Sequence, residues 1–298
     1  MVGLLRRLWE MPPREVAHKL SKRIRGSSTY DLDDLLRSAK HMRAQLFYDF
    51  LSRYEAILAR AHGWQPLEFE DRAVLEVGCG PVLGFGPLAL FLGCRSYTAI
   101  EPTFDAELAL HPRVQDGYYL RVYKDLAGVF GPRMSYEAFL HRLRTRATVA
   151  RTMIEHADFE SGTFDIVLSN STLEHLQPLE ASIRKLRLLS KESARFVHLV
   201  DFGNHRPTRS PFSGMYSVEP DVYLGRYGKG INLARAPDML RVFREAGFNV
   251  GLQPYYWYRE FFDESIAPWW KERYTNDDLF LKAAIVFGPT PGLPSAKQ

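Results

Sequence analysis

Val74-Leu75-Glu76-Val77-Gly78-Cys79-Gly80-Pro81-Val82-Leu83-Gly84-Phe85-Gly86 reads as a strand that runs into a glycine turn and then a helix. Glycines permit positive φ and let a backbone approach a ligand closely, and the helix start beyond them presents free N–H groups. A turn of this kind is shared by nicotinamide and flavin enzymes, so the residues around it must separate the readings.

Two acids do so. Glu76 stands two residues before the first glycine, where it would repel a pyrophosphate but attract a ligand bearing a cationic amine and a sulfonium; a strand-end charge paired locally is the other reading. Glu101 ends the next strand, Tyr97–Ile100, where a carboxylate can accept both hydroxyls of a ribose. Outward from this pair, short apolar strands alternate with helices. Ala73–Val77, Phe164–Leu168 and Phe196–Val200 are predicted strands, and Pro87–Leu92, Leu179–Ser190 and Ala236–Ala246 predicted helices. Strands without polar alternation indicate a parallel sheet buried on both faces. Asn249–Tyr258 and Leu279–Phe287 close the chain as an antiparallel pair with no good helix between them.

These residues resemble the class I S-adenosylmethionine-dependent methyltransferases. Val74–Gly86 is similar to their first motif, Glu101 to their ribose-binding acid, and Phe164-Asp165-Ile166-Val167-Leu168-Ser169-Asn170-Ser171-Thr172-Leu173-Glu174-His175 to their fourth strand and its loop. Met239–Val250 resembles their last helix and sixth strand. The resemblance covers about Asp71 to Pro289. It implies an α/β, Rossmann-like, doubly wound and mostly parallel seven-stranded sheet with an antiparallel last strand, N-terminal helices and helical insertions. It implies S-adenosyl-L-methionine as cofactor, bordered by Glu76, Gly78, Cys79, Gly80, Gly84, Glu101, Pro102, Asp158, Ser169 and Asn170. Two features depart from the family. Pro102–Thr163 is long and rich in aromatic and basic residues, and the adenine-contacting acid has two competitors, Glu155 and Asp158, of which Asp158 is taken.

The division expected is a helical extension over 1–70, a methyltransferase domain over 71–289 with insertions near 103–150 and 203–233, and a flexible tail over 290–298. Leu32 to Leu58 keeps a three-four apolar rhythm that predicts one helix of about seven turns, capped by Asp31 and stopped by Gly63. This helix would cover the sheet or a pocket rather than perform chemistry.

An oxygen acceptor loses a proton on methylation, so a base is sought at the carboxyl ends of the strands. His205, Asp201 and His175 are the candidates. The spacing His198-x-x-Asp201-x-x-x-His205 could hold a metal, but His198 falls within a strand, and no metal is expected. Ser169-Asn170-Ser171-Thr172 lacks the Pro-Pro-aromatic run that family members acting on nucleobase or glutamine amines carry. Tyr216, Tyr223, Arg226, Tyr227 and Lys229 could hold a sugar or a phosphate-linked sugar. Tyr255–Tyr258 with Phe261, Phe262, Trp269 and Trp270 are either core or a stacking surface. The substrate expected is a small polar molecule or glycan precursor, methylated at oxygen; the N-terminal segment and 198–247 also resemble proteins of bacterial polysaccharide assembly. A dinucleotide-dependent oxidoreductase and a non-catalytic cofactor-binding scaffold are the alternatives.

Composition narrows the partners. The 298 residues include two cysteines, Cys79 and Cys94, too few for a disulfide framework or a four-thiolate zinc site. The net charge of +4 is concentrated in residues 1–25, which carry seven Lys and Arg against two Glu, so the remainder is close to neutral. That distribution argues against a nucleic-acid partner. It leaves two readings of the basic arm, a docked surface helix or a peripheral contact with anionic membrane. No apolar run is long enough to span a bilayer and no secretory signal is evident, so a cytoplasmic setting is expected.

Overall fold

The strand–turn–helix unit at residues 73–91 is the centre of the computed structural model, which describes residues 31–38, 42, 46–228 and 230–289. The strands are β1 (Ala73–Val77), β2 (Ser96–Ile100), β3 (Ala147–Ala150), β4 (Phe164–Asn170), β5 (Ser190–Asp201), β6 (Gly251–Trp257) and β7 (Leu281–Gly288). They form one sheet in the order β3-β2-β1-β4-β5-β7-β6. β1 to β5 are mutually parallel, and β7 runs antiparallel to both neighbours. The two closing strands pair as expected, but β7 inserts between β5 and β6, which leaves β6 at the edge.

Alternate residues of the strands feed two apolar layers. Val74, Tyr97, Ile166 and Leu168 face one, while Leu75, Val77, Ile100 and Val167 face the other. Burying each such side chain contributes about 1.5–3 kcal/mol, which is why these strands read as unbroken apolar runs. The first layer is covered by α1 (Leu32–Arg37), α2 (Leu46–His62), α3 (Gly86–Phe91), α4 (Leu120–Phe130) and α5 (Tyr136–Thr145). The second is covered by α6 (Leu179–Leu189) and by α8 (Ala236–Glu245), which follows α7 (Pro220–Tyr227). A third apolar cluster joins the 203–233 insertion to residues 258–280 through Phe212, Met215, Tyr216, Tyr223, Trp270 and Leu279.

Three expectations need correction. The helix predicted over 32–58 is divided: α1 ends at Arg37, Ser38 is extended at φ −75°, ψ 103°, and α2 begins at Leu46. The apolar rhythm continues across the division because both pieces pack on the same layer, so periodicity cannot reveal the break. The 103–150 insertion contains the strand the sequence left unplaced. β3 is four residues long and mostly half-exposed at the sheet edge, so its apolar run is too short and its side chains too small to stand out. Between β6 and β7 lie two single-turn helices, Pro268–Lys271 and Asn276–Phe280, the second fixed by a Thr275–Asp278 capping box. Residues 1–30 with the basic arm, Lys229 and the 290–298 tail lie outside the described residues.

Candidate active site

Register sets where the site forms. Val77 pairs with Ile100 and with Ser169, so β1, β2 and β4 end level with one another. The chain leaves β1 towards β2 on one side and has β4 on the other, which makes the β1/β4 crevice the switch point of the sheet. A cavity of about 870 Å³ opens there, bounded by the Gly78–Val82 turn, Glu101-Pro102, Thr152–Ile154, Asn170–Thr172 and His175, and by Leu46, Phe47 and Phe50 of α2.

The wall changes character along its length. Glu101 accepts hydrogen bonds from the Thr103 N–H at 3.1 Å and from the Thr103 hydroxyl at 2.6 Å through Oε1. Its Oε2 accepts a longer one from the Gly80 N–H at 3.3 Å. Gly80 sits at φ +61°, and a Cβ there would meet nothing within 4 Å, so the turn is open towards the cavity. Pro102, Met153 and Ile154 form an apolar stretch beside Glu101, and α2 supplies a second apolar wall. Tyr54 of α2 donates to Asn170 Oδ1 at 2.7 Å, tying that helix to the end of β4.

Glu76 does not line the cavity. It is fully buried beneath the turn, where Oε2 accepts the Phe85 N–H at 2.8 Å and meets the Tyr97 hydroxyl at 2.6 Å. Tyr97 also faces the Leu83 carbonyl at 2.9 Å, so one phenolic proton confronts two acceptors. A proton on Glu76 resolves this: Glu76 donates to Tyr97, and Tyr97 donates to Leu83. Burial pushes the Glu76 carboxyl up to about 8, in keeping with that count. The locally paired reading of Glu76 is therefore the one the geometry supports. Gly84 belongs to the same arrangement, since at φ +46° a Cβ on it would collide with the Glu76 carboxylate.

Of the other residues expected at the cofactor, Gly78, Cys79, Gly80, Glu101, Pro102 and Asn170 line the cavity, whereas Ser169 and Asp158 do not. Ser169 is buried against His198 Nδ1 at 2.8 Å, and Asp158 is exposed. Glu155 faces away and binds the Ser182 hydroxyl. No acid stands at the cavity after β3; Thr152, Met153 and Ile154 occupy that place. Burial pushes the Cys79 thiol well up, so it has no thiolate character.

The three candidate bases converge. His175 lines the cavity and its ring packs edge-on against His205, with centroids 4.8 Å apart. His205 Nε2 stands 3.6 Å from Glu174 Oε1 and 3.5 Å from Asp201 Oδ1. A tight turn brings His205 back: Asp201 Oδ1 accepts the Gly203 N–H, Asn204 Oδ1 accepts the Arg206 N–H, and His205 itself sits at φ +52°. Burial pushes the Asp201 carboxyl up, but the His205 ring and the Lys282 ammonium outweigh it and hold Asp201 well below the carboxylate range. Glu174 goes the other way. It is 3% exposed, neither oxygen makes a well-formed hydrogen bond, and burial pushes its carboxyl up to about 8 against the weaker pull of nearby backbone N–H groups.

His198 is fully buried between Phe196 and Phe243, and burial lowers it to about 3, which makes it a neutral packing residue. Tyr216, Tyr223 and Trp270 belong to the third apolar cluster, and Tyr227 lies under the Arg206 guanidinium at 3.7 Å. Neither they nor Tyr255–Tyr258 line the cavity, so the expected sugar-holding and stacking roles find no support here. The sequence reading missed Phe47, Phe50, Tyr54, Met153 and Asn232. Asn232 donates to the Leu173 and Leu176 carbonyls and so clamps the turn that carries Glu174 and His175.

A family model described as a methyltransferase domain matches residues 40–253. Among curated proteins, the PKS-NRPS hybrid synthetase cheA of Chaetomium globosum is 22% identical over 238 residues, covering 78% of this chain and 4% of that protein. The chain thus spans a small fraction of the length of the curated relative it matches. Among solved structures, an S-adenosylmethionine dependent methyltransferase from Mesorhizobium loti is similar at 12% identity and a TM-score of 0.45, over 80% of this chain and 98% of that one. A SAM dependent methyltransferase from Aquifex aeolicus is similar at 11% identity and a TM-score of 0.43, over 87% and 98%.

Proposed function

Because the chain belongs to the methyltransferase-domain family, we propose that it methylates a hydroxyl oxygen of a small polar acceptor, such as a sugar or a glycan precursor. It is an S-adenosylmethionine-dependent methyltransferase. The residues present suit that cofactor: a carboxylate, Glu101, and an open glycine turn border one stretch of the cavity, with Pro102, Met153 and Ile154 as an apolar stretch beside them. Glu101 would accept the two ribose hydroxyls, Met153 and Ile154 would flank the adenine, and Gly78, Gly80 and Asn170 would border the methionine end. When bound, S-adenosylmethionine supplies an electrophilic methyl group on a sulfonium.

The chain's own work is positioning and proton removal. Tyr54 fixes Asn170, Asn232 fixes the 173–176 turn, and the aromatic side chains Phe47 and Phe50 of α2 give the crevice an apolar wall. The observation that carries the oxygen reading is the His175–His205–Glu174–Asp201 cluster, which reaches the cavity through His175. Such a cluster is of use to an acceptor that must lose a proton, as a hydroxyl does.

A screen of hydroxylated small molecules with labelled S-adenosylmethionine tests this, with amines as the comparison set. Methyl ether products, reduced at least tenfold by His175→Ala, are expected. Transfer to amines alone would remove the oxygen reading and leave the methyltransferase assignment intact.

A further inference from the structure

We propose that Glu174, His175 and His205 form a binding site for one divalent transition-metal cation at the edge of the acceptor cavity. One carboxylate oxygen and one nitrogen of each imidazole lie within 4.8 Å of one another, a spacing that a single ion could bridge. The carboxylate is the independent sign. Glu174 is 3% exposed, and neither of its oxygens makes a well-formed hydrogen bond among the described residues. A buried carboxylate left in that condition costs free energy unless a cation or a proton completes it.

The surroundings prepare the ligands. His175 Nδ1 faces the Gly230 carbonyl at 2.5 Å, so that nitrogen carries the hydrogen and Nε2 carries the lone pair. Asp201, engaged by Lys282, stands 3.5 Å from His205 Nε2 and borders the site with a second carboxylate. Two imidazoles with one carboxylate suit zinc, manganese, iron or cobalt rather than magnesium or calcium, which take all-oxygen shells. The site departs from the His198-x-x-Asp201-x-x-x-His205 spacing, since His198 is turned into the apolar layer between Phe196 and Phe243.

The role of the ion rests on the hydroxyl-acceptor reading above. Beside His175, the cation would lower the pKa of an acceptor hydroxyl. The O–H bond breaks, the oxygen keeps the electron pair, and the proton leaves to water. No oxidant or reductant is needed.

Calorimetry of the chelator-treated full chain with Zn2+, and the visible absorption of its Co2+ form, test the site without any turnover. Expected are one equivalent bound and a cobalt spectrum of nitrogen and oxygen ligation. Glu174→Gln and His205→Asn should each weaken binding by about tenfold or more, while S-adenosylmethionine affinity and melting temperature report that the variants fold. Asn is chosen at 205 because it tolerates positive φ. Failure of the wild-type chain to bind either ion, or unchanged binding in both folded variants, overturns the proposal. Ion binding without methylation of any hydroxyl would remove the acceptor reading and leave the site standing. Full hydroxyl methylation by the chelated protein would do the reverse for the ion's role.

Discussion

Glu76 lies on β1 and Glu101 at the end of the adjacent β2, yet they have opposite environments. Glu101 sits at the cavity wall with its carboxylate bound to Thr103 and Gly80, whereas Glu76 is enclosed under the turn with Tyr97. Replacing Glu101 by Ala should weaken S-adenosylmethionine binding by about 1.5–3 kcal/mol for each charged hydrogen bond lost, roughly 10- to 150-fold in Kd. Calorimetry measures it, and an unchanged Kd would show that another group meets the ribose. Glu76 should instead control stability. Its carboxyl is raised to about 8 in the fold by burial, with the Glu101 charge adding, while the unfolded chain releases that proton near 4.5. Between these values the folded state holds more protons, so stability falls as pH rises from about 4.5 to 8 and levels off above. Glu55, raised to about 7 by burial, and Glu174 act in the same direction, so the comparison must be by difference. Denaturant titrations of Glu76→Gln should show a flatter pH dependence than wild type across this window. An identical slope would place the proton elsewhere.

Helix α2 is the element whose role exceeds what its pattern announces. It buries Leu51, Tyr54 and Leu58 on the sheet and presents Leu46, Phe47 and Phe50 to the cavity. An expected domain boundary near residue 70 does not coincide with a boundary in packing, because α2 and β1 share one apolar layer. The Tyr54 hydroxyl is its polar anchor. Tyr54→Phe leaves Asn170 Oδ1 without its donor and should cost about 1–3 kcal/mol in denaturant stability. S-adenosylmethionine binding should weaken alongside, since Asn170 lines the cavity. Stability lost with affinity retained would confine the bond to a packing role. The glycine turn and both acids could be read directly from sequence because their spacing is local. The α1–α2 division and β3 could not, since a rhythm persists across the first and the second offers only four residues, none of them buried.

At the scale of the whole molecule, apolar packing divides into the two layers on the sheet faces and a third cluster built by the 203–233 insertion and the 258–280 segment. Trp270 is the fully buried centre of that third cluster, and its indole N–H donates to the Val218 carbonyl at 2.7 Å. Trp270→Ala should cost about 3–5 kcal/mol. It should leave S-adenosylmethionine affinity within about twofold, because the cluster and the cavity share no residue. A large loss of affinity in the folded variant would mean that the cluster supports the cavity. Among the described residues no helix is long and apolar enough to cross a membrane.

The sequence alone determined the parallel core strands, the glycine turn, the acid that ends β2 and the family, because each is written in neighbouring residues with a fixed period or spacing. Only the tertiary structure decided which acid reaches the cavity. It buried Glu76 beneath the turn it stabilises and left Glu101 open. It likewise absorbed the aromatic insertions into apolar cores and drew Glu174, His175 and His205 together across thirty residues of chain. The physical reason is common to these cases. Burial and the approach of distant side chains depend on how strands and helices stack, and no local pattern encodes that stacking.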